Sequence, residues 1–235
     1  SSGTRKRSAK LADGTFWRGR FARFRAARRS VCGLNIMPYS SFTFAKAKKE
    51  LELTIEEGDR FLPDIEPIAP SPRLEAALED LPWAIAVGSE RAKSESIIYP
   101  VLQEVRRILN GKISLFSGKE FTVDVEKGLN GYVDYLLSRS QEQLEIEAPV
   151  MMLVEAKRDN LNEGIGQCIA EMVAAALFNQ SNSNPLKTIY GIVSNGTQWR
   201  LMKLVENTVT IDLMDYPILP IDRILGMLVW MVRAG

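Results

Sequence analysis

The chain has 235 residues, 46% hydrophobic and 25% charged, the balance of one sizeable folded domain with extensions. It contains no histidine and two distant cysteines, Cys32 and Cys168, which excludes Ser–His–Asp hydrolases, Cys–His proteases, histidine-dependent nucleases and zinc clusters. The net charge of +1 hides a division: residues 1–36 carry ten Lys or Arg against Asp13, leaving 20 basic and 28 acidic side chains elsewhere, a body of −8.

The basic arm, 1–36, has the charge to follow phosphates. It equally has the look of a remnant ahead of the more ordinary MPYSSFTFAKAKKEL that opens at Met37. Its FWRGRFARFRAARR is amphipathic but lacks the apolar core of an export signal. No apolar run approaches the roughly 18 residues of a membrane span. With so few cysteines, a reducing cytoplasm is the expected compartment.

SFTFAKAKKELE (41–52) reads as a short helix opened by a hydroxyl cap, and Ser71-Pro72 opens a second, RLEAALED. Together 37–90 form a helical lead-in expected to pack on the body, 91–235. SESIIYPVLQEVRRILN (94–110) spaces Ile98, Leu102, Val105 and Leu109 as a helical stripe, with Pro100 early and Asn110-Gly111 as the stop. ISLF (113–116) and FTVDVE (121–126) read as short strands around a Ser117-Gly118 turn. YVDYLLS (132–138) and VMMLVEAK (150–157) are further strands. Helical period returns over 162–180, then TIYGIVS (188–194) and QWRLMKL (198–204) form a hairpin about Asn195-Gly196. VTIDLM (209–214) adds a strand, and a helix from about Ile221 closes the chain, so the class is α/β, in the α+β sense.

One strand ends abnormally. VMMLV has the texture of a buried strand, yet Glu155 and Lys157 follow, on one face and about 7 Å apart, while Ala156 points to the other. Asp134 lies inside YVDYLL, where a solvated residue is not expected. If the two strands pair, Asp134, Glu155 and Lys157 share one face. Two carboxylates and a backbone carbonyl, that of Ala156, make an oxygen-only site suited to Mg²⁺, with Mn²⁺ as substitute. A lysine beside them can orient water and stabilise charge on phosphate. With no P-loop, the nearest fragment being SGKE at 117–120, chemistry falls to carboxylates, lysines and a hard metal.

Asp134 followed by Glu155-Ala156-Lys157 at the end of an apolar strand resembles the PD-(D/E)XK nuclease superfamily, as does the element order across roughly 94–204. The flavour is similar to the nuclease domain of type I restriction motor subunits. The resemblance implies a restriction-endonuclease-like core: helix, three-strand meander, helix, strand, here with extra strands and a C-terminal helix. It implies that Asp134 and Glu155 bind Mg²⁺ and that Lys157 acts on the nucleophilic water. It adds a first-helix glutamate, Glu95 with Glu104 in reserve, and a glutamine on the following helix, Gln167. Val133 stands where the motif's proline belongs. DNA is the implied partner, and cutting two strands suggests a homodimer.

Blander readings stand beside these. Asp124 and Glu126 form a rival carboxylate pair without an E-x-K neighbour. Lys112, Lys119, Lys127, Arg139 and Arg158 can serve a phosphate backbone or only solubility. Trp199, Trp230 and Cys168 read as core. The alternative function is a catalytically silent nuclease-fold module that binds protein or nucleic acid, and a third is an α/β enzyme of another class whose E-x-K is structural.

Overall fold

The computed structural model describes residues 38–58 and 60–235, so the expectations for the basic arm lie outside the described residues. A short 3-10 turn, Tyr39–Ser41, leads into α1 (Phe44–Glu50), whose first turn is closed by Lys46 N–H donating to the Thr43 hydroxyl at 3.3 Å. β1 (Thr54–Gly58) follows. α2 (Pro72–Leu78) has Ser71 as its cap and proline in its first turn, and α3 (Leu81–Val87) ends on Gly88, whose φ of 66° suits a residue without a Cβ. One helical run then comprises α4 (Glu90–Lys93), a π-type segment (Ser94–Ile98) and α5 (Tyr99–Ile108). β2 (Ser114–Glu120), β3 (Tyr132–Ser138), β4 (Val150–Ala156), α6 (Asn162–Ser181), β5 (Ile189–Ser194), β6 (Gln198–Val205), β7 (Thr208–Pro217) and α7 (Ile221–Ala234) complete the order.

The seven strands form one mixed sheet in the order β1-β7-β6-β5-β4-β3-β2. β2, β3 and β4 are an antiparallel meander, β4 pairs parallel with β5 after the α6 crossover, and β1 pairs parallel with β7. Apolar clusters cover both faces. On one, Leu137, Met152, Val154 and Ile192 pack under Val101, Leu102 and Val105 of α5 and Leu225, Leu228 and Val229 of α7. On the other, Leu136, Leu153 and Val193 pack under Ile165, Cys168, Ile169 and Met172 of α6, with Phe42 and Ala47 beside them. A strand covered on both sides must be apolar on both sides, which is why VMMLV does not alternate.

Three expectations are corrected. FTVDVE (121–126) is not a strand: β2 runs straight through Ser117-Gly118 to Glu120, with Gly118 at φ 58°, a backbone kink rather than a turn. Asp124 then sits in a turn, where it accepts from Lys127 N–H at 3.1 Å and pairs with Lys127 Nζ at 3.3 Å, so this member of the rival pair has a structural use. The lead-in is not purely helical, because Thr54–Gly58 supplies a sheet strand. Among the described residues no helix is long and apolar enough to cross a membrane.

Candidate active site

The site forms where β3 and β4 stop pairing. The β3–β4 ladder reaches Tyr135↔Val154. One step further the Asp134 side chain replaces a backbone partner, its Oδ2 accepting from Ala156 N–H at 2.8 Å. Asp134 alternates with Leu136, and Glu155 with Leu153, which both belong to the α6 face, so the two carboxylates share that face. Lys157 N–H donates to Ser194 O at 2.8 Å, which carries the extended backbone one residue past β4. Beyond it the loop is pinned by Lys93, whose buried ammonium donates to Arg158 O at 2.7 Å, and by Asn195, which donates to Asp159 O at 2.9 Å.

α6 lies directly on these residues because its first turns are nearly bare. A Cβ on Gly164 would stand 2.7 Å from Val193 Cγ1, 3.1 Å from Lys157 Cγ and 3.2 Å from Glu155 Cγ. A Cβ on Gly166 would fall 2.3 to 2.5 Å from the backbone of Phe42, Thr43 and Phe44 at the entry to α1. The GIG of NEGIGQ thus sets how closely the helix approaches the sheet.

That approach brings Gln167 into the middle of the polar cluster. Its Nε2 donates to Glu155 Oε2 at 2.9 Å and to Glu171 Oε1 at 3.1 Å, and its Oε1 accepts from Lys157 Nζ at 3.5 Å. Lys157 Nζ also pairs with Glu155 Oε1. Glu155 is 1% exposed and Glu171 0%. Burial, and then the Asp134 charge, push the Glu155 carboxyl up to about 8, against the pull of Lys157. Burial, and then Glu155, drive Glu171 well above the ordinary carboxylate range. Glu171 Oε2 has no donor from a described side chain or backbone. For Lys157, burial alone would depress the ammonium, but the Glu155, Asp134 and Glu90 carboxylates outweigh it and raise the pKa.

Asp134, Glu155, Lys157 and Gln167 are therefore brought together. Glu95 is not part of this contact network. It is 65% exposed on the π-type segment and paired with Arg91 at 2.9 Å. Glu90, at the start of α4, is the acid of that run whose charge reaches Lys157. The reserve, Glu104, holds a different job: its carboxylate accepts from Ser71 N–H and hydroxyl, both at 3.0 Å, and pairs with Arg107, tying α2 to α5. Of the scattered cations, Lys119 donates to Leu144 O, and Arg139 to Val232 O at the end of α7. Trp199 and Cys168 are core, as expected, and Trp230 packs against it.

Sequence reasoning missed Glu171. Its signal was a lone acid inside CIAEMVAAAL, one helical turn after Gln167, a spacing that places both side chains on one face. Among the described residues no group of three or more Asp, Glu or Cys converges as a ready metal cage. No protein-family model matches this chain, and no curated protein is significantly similar to it in sequence.

Proposed function

We propose that the protein is a Mg²⁺-dependent phosphodiester hydrolase acting on DNA, with a restriction-endonuclease-like core of the PD-(D/E)XK type. The observation that carries this reading is the convergence of Asp134, Glu155 and Lys157 on one face at the end of the β3–β4 ladder, with Gln167 of α6 above them. The meander β2-β3-β4 followed by α6 and the parallel β5 supports the fold assignment.

Asp134, Glu155 and the Ala156 carbonyl would offer oxygen donors to a hard divalent cation, with Glu155 giving up a contact to Lys157 or Gln167 in order to do so. Asp134 raises the Glu155 pKa, the mark of two carboxylates close enough to repel, and a cation between them removes that repulsion. Asp134 Oδ2 is spent on Ala156 N–H, while Oδ1 accepts no hydrogen bond from the described residues. Two carboxylates and the Ala156 carbonyl leave positions for water and phosphate oxygen, in keeping with how Mg²⁺ is usually held. When bound, Mg²⁺ would acidify a coordinated water and offset charge on the phosphate.

The chain's own residues supply the rest. Lys157 stays an ammonium at neutral pH because the surrounding carboxylates raise its pKa. It therefore serves as a donor, orienting the attacking water and stabilising negative charge on the phosphate, rather than as a base. Gln167 holds that ammonium from one side while anchoring Glu155 from the other. Leu153, Ile165 and Val193, buried beneath the cluster, exclude water from its inner side.

The test is plasmid nicking with Mg²⁺ or Mn²⁺, comparing wild type with Lys157→Ala and Asp134→Asn. Cleavage lost in both variants supports the reading, and cleavage untouched by both rejects it. The second reading, a silent nuclease-fold module, is favoured by the −8 charge of the chain outside residues 1–36, which repels a duplex. Calorimetry showing no Mg²⁺ or Mn²⁺ binding to folded protein would select it.

A further inference from the structure

We infer that Glu171 is a positioning residue, which fixes the orientation of the Gln167 amide and through it the place of Lys157 against Glu155. This rests on the proposed role of Asp134, Glu155 and Lys157 as the reacting centre.

Glu171 lies in the third turn of α6, 0% exposed, between Ala170 and Met172 and one turn before the buried Ala174 and Ala175. An apolar side chain would suit that place better, since burying an acid is unfavourable and Glu171 receives one hydrogen bond from a neutral donor. Among the described residues no basic side chain pairs with it, and none donates to its Oε2. Stability does not account for such a residue. The geometry of Gln167 does.

The Gln167 amide has two N–H bonds and one carbonyl oxygen to place. Its two hydrogens go to Glu155 Oε2 and Glu171 Oε1, at 2.9 and 3.1 Å, and its oxygen faces the Lys157 ammonium at 3.5 Å. Turned over, the amide would set its NH₂ against the Lys157 ammonium, donor against donor, and would give up both of its N–H contacts with the carboxyls. Glu155 alone gives the amide one anchor and lets it swing. Glu171 adds the second anchor, fixing all three contacts at once. Lys157 then has an acceptor on the helix side as well as Glu155 on the strand side. Outer partners of this kind orient the groups that do the chemistry.

The comparison uses E171Q, which retains an acceptor oxygen for Gln167, and E171M, which removes it at similar volume. The first readout needs no activity: side-chain amide hydrogen exchange of Gln167 by ¹⁵N NMR, its resonances identified by their loss in Gln167→Met. E171M is expected to speed that exchange at least about tenfold, while E171Q stays near wild type. The second is cleavage, where E171M should lower kcat about 10-fold or more with KM for DNA unchanged, and E171Q should restore it. Unchanged Gln167 exchange in E171M overturns the assignment, as does equal damage from E171Q and E171M. Should E171M fail to fold, Glu171→Ala removes the same acceptor and is read in the same way. A wild-type protein that binds no metal and cuts no DNA overturns the functional reading instead, and leaves the exchange result to decide the role of Glu171.

Discussion

β4 is tied to α6 at both ends, and the two ties differ in kind. At its start, Asn179 accepts from Val150 N–H and donates to Val150 O, both at 2.7 Å, a neutral clamp with its hydrogen bonds made. At its end, Gln167 joins two buried glutamates, one with an oxygen that no described residue donates to. A satisfied neutral clamp is what stability asks for. A crowded set of carboxylates at the same depth opposes stability, and polar crowding of that kind collects where a protein has chemistry to do.

The largest expected effect falls on the charged end. Lys157→Ala and Asp134→Asn should each lower kcat for DNA cleavage by about 10²–10⁴, measured by single-turnover kinetics at saturating Mg²⁺. Far-UV circular dichroism should remain that of wild type. If cleavage survived, the two ends would both be structural and the contrast would vanish.

Next comes the spacing of α6. Gly164→Ala forces a methyl against Lys157, Glu155 and Val193, and should cost about 10²-fold in kcat because a displacement near 1 Å at the reacting groups is enough. Gly166→Ala meets backbone at the entry to α1 instead, so it should cost stability, about 1–3 kcal/mol in urea unfolding. The opposite pattern would mean that the two glycines do not separate site from scaffold.

Asn179→Ala tests the neutral clamp. It strands a buried N–H and C=O of Val150 and should lower stability by roughly 2–4 kcal/mol, with kcat of the folded fraction unchanged. A loss of kcat without loss of stability would merge the two ends.

The smallest effect sharpens the comparison by pH. Glu155 goes from 4.5 in the unfolded chain to about 8 when folded, so the folded state prefers its neutral form. Its stabilising contribution is complete below about pH 4.5 and is lost as pH rises through about 8. The melting temperature of metal-free protein should therefore decline from about pH 5 to 8, with a shallower decline in Glu155→Gln. The raised Lys157 pKa acts above this window. Mg²⁺ should reverse the loss at pH 8, and its binding near pH 7 should release protons to buffer. Asn179 has no titration to contribute.

Much of this was legible along the chain. β3, β4 and α6 follow from apolar runs with clear stops, and Asp134, Glu155 and Lys157 stand out as charges where the pattern calls for apolar side chains. Gln167 follows from the resemblance. Other elements were not legible because their cause is distant. Thr54–Gly58 is an edge strand whose partner is β7, more than 150 residues later, and little in TIEEG marks it. Ser117-Gly118 has the sequence of a turn, and Gly118 does take a φ of 58°, yet pairing with β3 on either side keeps the strand going. Glu95 is the first-helix glutamate that the resemblance implies, on a helix expected from 94. The helix in fact begins at Glu90, and the π-type segment leaves Glu95 exposed and paired with Arg91.

The sequence by itself determined which segments are strands and helices through most of the body, since period and punctuation are local properties. It also singled out an acid and a lysine two residues apart at the end of a buried strand. Tertiary structure alone decided that Asp134 caps the β3–β4 ladder, that Glu171 lies beside Glu155, and that Glu104 serves a helix cap instead of a metal. These outcomes depend on register and on how closely α6 approaches the sheet, and both are set by packing between segments far apart in the chain.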